Sequence, residues 1–122
     1  MLALVGILGF IGVLGPATEQ SIFGGSWYFD NGENWTHLIL GIVALIAAFA
    51  LGAGMQKHLV LLVGLLALLV GVVGFFVSST PPNFLGANLE NPLDNLLHIV
   101  VGIWAILAWK GAKEGMMMQS RM

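Results

Sequence analysis

Four apolar runs set the rhythm of this chain, at about residues 2–15, 34–53, 58–77 and 92–110, with polar or glycine-rich stretches between them. A helix rises 1.5 Å per residue, so crossing a hydrocarbon core of ~30 Å takes about 20 apolar residues. The second and third runs are long enough. The fourth is long enough if Asn91 caps it and Pro92 takes the first helical position, where its missing N–H costs nothing. The first run is short, and spans only if it continues past Pro16 or the bilayer thins around it. It lacks the basic start of a signal peptide, and GPA is a poor cleavage site, so the expectation is a membrane helix. The pattern predicts an all-α, integral membrane four-helix bundle.

The runs also repeat. A shift of 61 residues (94 − 33) brings Glu33 onto Asp94, Asn34 onto Asn95, His37 onto His98 and Gly41 onto Gly102. The first and third runs align with a shift of 62, Gly9 on Gly71 and Gly12 on Gly74. Residues 1–53 and 62–114 then form two tandem hairpins of the same orientation, related by an axis along the membrane normal. On that reading the two histidines sit at the same depth, on helices running the same way.

The repeated motif, acid-Asn-x-x-His-x-x-x-Gly-Ile at Glu33–Ile42 and Asp94–Ile103, resembles that of small bacterial membrane proteins grouped as domain-of-unknown-function family 4383. The resemblance implies a four-span layout in a bacterial cytoplasmic membrane. It implies no activity.

Composition agrees with a membrane solvent. The chain is 58% hydrophobic and 8% charged, against about a quarter charged in a soluble domain. It has no cysteine, which removes disulfides and thiolate chemistry. No basic patch suggests nucleic acid. The four basic residues, Lys57, Lys110, Lys113 and Arg121, fall at one end of the expected bundle. Glu19, Asp30, Glu33, Glu90 and Asp94 fall at the other. The positive-inside rule then places both termini in the cytoplasm and the segments 15–33 and 78–92 outside. Trp27, Tyr28 and Trp35 mark the outer interface and Trp109 the inner one.

Two readings of the motif compete. In the packing reading, Asp30-x-x-Glu33 and Asn91-x-x-Asp94 are capping boxes that satisfy free N–H groups at helix starts. Asn34, His37, Gly41 and Ala44, spaced three, four and three apart, share one helix face, as do Asn95, His98, Gly102 and Ala105. Small residues there let helices approach, and Asn or His bonds across or to an acidic neighbour. In the cofactor reading, His37 and His98 ligate a haem iron or a (bacterio)chlorophyll magnesium, with Glu33 and Asp94 orienting the rings or joining a mixed carboxylate–histidine metal site. An ionisable residue inside a span is a functional candidate by default. His37 nevertheless lies only about 10 Å past its cap at 1.5 Å per residue, above the midplane depth of transport sites.

The packing reading is preferred. It predicts no cofactor, no metal and no catalytic residues, and a non-catalytic accessory subunit of a larger respiratory or photosynthetic membrane complex. Its outer loops, rich in aromatics, Gly and Asn, would meet the other subunits. A tetrapyrrole- or metal-binding subunit is the alternative, and a small transporter or channel the next. His58 is expected at the surface, and the tail from Gly111 is expected to fray.

Overall fold

The computed structural model describes residues 1–77, 80 and 82–122 of the chain. Four helices occur among them: α1 (Leu2–Phe10), α2 (Asn31–Ala50), α3 (Ala53–Gly74) and α4 (Leu93–Ser120). Two 3-10 turns, Thr18–Gln20 and Gly24–Ser26, punctuate the long α1–α2 connection. Ser78, Ser79 and Pro81, part of the second expected outer loop, lie outside the described residues.

Three helices, α2, α3 and α4, are long and apolar enough to cross a membrane. The first run differs from expectation. Its helix stops at Phe10 after 9 residues, which is about 14 Å at 1.5 Å per residue. Gly12 follows at φ 84°, a left-handed conformation that L side chains resist. From there the chain turns into the outer loop: Leu14 bridges Ser21, and Phe29 N–H donates to the Leu14 carbonyl at 2.6 Å.

α1 packs on α2 and α3 packs on α4. Small residues set both contacts. A Cβ on Gly6 would sit 2.8 Å from the Asn34 carbonyl oxygen, and one on Gly71 would sit 2.7 Å from that of Asn95. Gly9 lies under the Asn34 side chain, and Gly74 under that of Asn95. On α2, Gly41 lies against Ala3; on α4, Gly102 lies against Gly64 and Leu68. These contacts match Gly6 with Gly71 and Gly9 with Gly74, a shift of 65 (74 − 9) in place of the expected 62. The glycines at 6, 9 and 12 recur every three residues, so sequence alone admits either register. Packing admits one.

α2 and α3 are joined by a turn of only Leu51 and Gly52. Gln56 closes it by donating to the Ala48 carbonyl at 2.9 Å and the Leu51 carbonyl at 2.7 Å. Near it His58 is exposed, with Nδ1 donating to the Gly54 carbonyl at 2.7 Å. At this same end α4 departs from expectation again, because the tail does not fray. The helix continues to Ser120, 28 residues in all, about 42 Å and longer than a ~30 Å core. Lys113 Nζ lies 5.6 Å from the Trp109 ring centroid, a cation–π contact at that exit.

The large buried apolar side chains lie at the opposite end. Leu14, Phe29 and Leu89, all in loops, are 7%, 3% and 5% exposed. The helix flanks carry exposed leucine, isoleucine, valine and phenylalanine, the composition a lipid solvent favours. The polar core of the molecule is therefore a cap over the loop end of the two hairpins.

Candidate functional site

The cap is built from the helix starts upward. At α2 the expected capping box forms: Glu33 N–H donates to Asp30 Oδ1 at 2.9 Å, and Asp30 N–H donates to Glu33 Oε2 at 3.0 Å. This satisfies two backbone donors that the first helical turn leaves free. At α4 the box takes another form. Pro92 is the cap residue, one position later than the expected Asn91, and no side chain caps it. Glu90, not Asn91, is the residue paired with Asp94: its N–H donates to Asp94 Oδ2 at 2.9 Å, and the Asp94 N–H donates back to its carbonyl at 2.9 Å. Asn91 is exposed.

Bonds across the halves close the cap. Trp27 Nε1–H donates to Asp94 Oδ1 at 2.6 Å, across 67 residues. Asn88 N–H donates to Asp30 Oδ2 at 2.6 Å, across 58 residues. The Asn88 amide also donates to the Tyr28 hydroxyl at 3.5 Å and closely to Glu90 Oε1. The Trp27 ring meets Phe29 edge-on at 5.2 Å, and Phe29 stacks on His37 at 5.1 Å.

The predicted motif residues come together here, but not with the expected bonds. The His37 and His98 rings lie 6.3 Å apart, centroid to centroid, inclined by 46°. Each Nδ1–H donates to a backbone carbonyl four residues back, His37 to Glu33 at 2.8 Å and His98 to Asp94 at 2.7 Å. The acidic neighbours thus orient the rings through their carbonyls rather than their carboxylates. This fixes the proton of each neutral ring on Nδ1 and leaves Nε2 as the acceptor. Asn34 and Asn95 are fully buried. Asn34 Nδ2 donates to the Phe29 carbonyl at 3.3 Å, within its own half, so it bonds to the loop rather than across to another helix. Its Oδ1, and both polar atoms of Asn95, have no partner among the described residues.

Below these bonds lies a group of three carboxylates. Glu33, Glu90 and Asp94 each offer an oxygen, and the three lie within 4.8 Å of one another. Glu33 is 4% exposed and Asp94 0%. Burial, with the hydrogen bond to Asp94 and then the Asp94 charge behind it, raises the Glu90 carboxyl to about 9. Burial and the charges of Glu90 and Asp30 push the Tyr28 hydroxyl up as well. An open cleft of about 530 Å³, lined in part by Tyr28, Asn88 and Glu90, leads to this group from outside.

Sequence reasoning missed three members of the cap. Trp27 reads as an interface aromatic, Glu90 as one more loop charge, and Asn88 as a loop polar residue. A faint signal existed for Glu90, an acid four residues before Asp94. None existed for Trp27 or Asn88, whose partners lie about half a chain away.

Comparison with family models, with curated proteins and with solved structures finds no match to this chain.

Proposed function

We propose that this chain is a non-catalytic accessory subunit of a larger membrane assembly, respiratory or photosynthetic, with both termini in the cytoplasm of a bacterial cell. One observation carries this. Asp94 of the motif, and Asp30 beside it, are engaged in closing the cap, and the histidines bond to their own helices, while the hairpins below pack within themselves, α1 on α2 and α3 on α4. Leu40 and Val101, one turn below the paired histidines on the same helix faces, remain 44% and 39% exposed. That seam accepts an apolar helix from another subunit.

A photo-crosslinker placed at Leu40 or Val101 in cells should give an adduct of defined mass with a membrane protein. Adducts with lipid alone would sink the proposal. Orientation is tested through the lack of cysteine. In intact spheroplasts an impermeant maleimide should label Ser26→Cys and spare Ser120→Cys. The reverse pattern would invert the topology.

A second reading rests on the imidazole pair. Two Nδ1-protonated rings 6.3 Å apart keep both Nε2 atoms free for a haem iron, a chlorophyll-type magnesium or one metal ion. Its test is the visible spectrum of the purified chain, oxidised and then reduced. A Soret-region band lost in His37→Gln and His98→Gln supports it. A colourless protein leaves the rings as cap-packing groups, and the same variants should then weaken assembly alone.

A further inference from the structure

We propose that the cap holds one hard divalent cation, calcium foremost, between the carboxylates of Glu33, Glu90 and Asp94. The cluster comes from three different positions of the fold: the first turn of α2, the loop before α4, and the first turn of α4. Each acid is held in place by donors from the cap. Glu33 Oε2 accepts from Asp30 N–H, Glu90 Oε1 from the Asn88 amide, and Asp94 from Trp27 and Glu90 N–H. What remains is acceptor capacity without donors. Glu33 Oε1, on a residue 4% exposed, and Glu90 Oε2 are buried and have no hydrogen-bond partner among the described residues. A buried carboxylate oxygen without a donor or cation has lost its hydration with nothing in exchange.

No basic side chain compensates it, because Lys57, Lys110, Lys113 and Arg121 all lie on α3 or on or beyond the far part of α4. A cation supplies the missing charge. The spacing suits calcium: oxygens at roughly 2.3–2.6 Å from an ion lie up to roughly 5 Å apart across it, and these lie within 4.8 Å. The ligands are all oxygen, as calcium prefers over softer metals. Water entering by the Glu90 cleft completes the shell. With three protein carboxylates and an open side, the affinity expected is that of extracellular calcium modules, roughly 10⁻⁴–10⁻³ M.

The test uses the full chain in mild detergent, stripped with chelator. Calcium titrated calorimetrically should bind saturably at one ion per chain, and terbium should bind at the same site and be displaced by calcium. Glu33→Gln and Glu90→Gln keep side-chain shape and an acceptor oxygen, and each should weaken binding at least tenfold while circular dichroism stays helical. Should either variant lose its fold, Asp30→Asn serves as the second comparison: it weakens the cap without touching the ligand set, and should bind nearly as the parent does. Absence of saturable binding in the parent overturns the proposal, as do Glu33→Gln and Glu90→Gln chains that stay folded and bind like the parent. So does a protonated-carboxyl infrared band that persists in saturating calcium, which would make the cluster a holder of protons. Binding is read on the isolated chain, so this outcome is separate from whether a partner subunit exists.

Discussion

A methyl group added at Gly9 would land on the Asn34 side chain, and one at Gly74 on that of Asn95. Neither asparagine has room to retreat, since both are fully buried. Gly9→Ala and Gly74→Ala should each cost about 1–3 kcal/mol, the usual range for overpacking. Gly111 sits in the exposed part of α4, with open space where a methyl would go, so Gly111→Ala should stabilise by roughly 0.5–1 kcal/mol through backbone entropy alone. Denaturation in mixed micelles reads both signs in one assay. The contrast was half legible in sequence. Small residues at helical spacing announce a close contact, but they do not say which glycine meets which partner. That choice came from the 65-residue register, which only packing distinguishes from 62.

Element by element, the helices are easier to read than their ends. Apolar runs of span length name α2, α3 and α4, because solvent preference sums over many residues and tolerates errors in any one. The ends are decided by single bonds. α2 starts where Asp30 and Glu33 reciprocate, as their spacing says. α4 starts after Glu90 has paired with Asp94, which the Asn91 spacing conceals. Asp30→Ala removes the box and the anchor of Asn88 N–H together. A lost cap costs ~1 kcal/mol, and the freed Asn88 donor should take the total beyond that. Trp27→Phe keeps the aromatic stack and deletes the bond to Asp94. Bonds to charged acceptors contribute about 1.5–3 kcal/mol, so this variant should unfold earlier by about that amount in the same denaturation assay. Removing residues 114–122 should leave the melting curve of the bundle unchanged, since that stretch of α4 is exposed throughout.

Over the whole molecule, charge is segregated: five of the six acids lie at the loop end and all four bases at the other, with Glu114 among them. The cap should therefore make stability depend on pH. In the chelated chain Glu90 faces Asp94, Glu33 and Tyr28, and its carboxyl stands at about 9, above the ordinary 4.5. Between those values the folded chain binds more protons than the unfolded one, so stability must fall as pH rises. It is fully present below the ordinary value and is lost as pH climbs toward the raised one. The melting temperature in chelator should thus decline from about pH 5 to pH 9. With saturating calcium the decline should flatten or reverse, because a bound cation favours the ionised carboxylates. A melting curve that ignores pH in chelator would mean the cap acids are not buried as described.

The membrane character of the chain, its helical class and the pairing of two like motifs follow from sequence by itself. They rest on composition and on spacings within one helix, which a neighbour elsewhere in the chain does not alter. The cap is a different matter. Trp27 with Asp94, Asn88 with Asp30, and Glu90 with Glu33 meet only after two hairpins are set side by side. These contacts join irregular loops to the starts of helices on the other half, where no period of two or 3.6 residues reports which side chain faces which. Tertiary structure alone turned three scattered acids into one buried group, because burial and the absence of a compensating base are properties of a place, not of a residue.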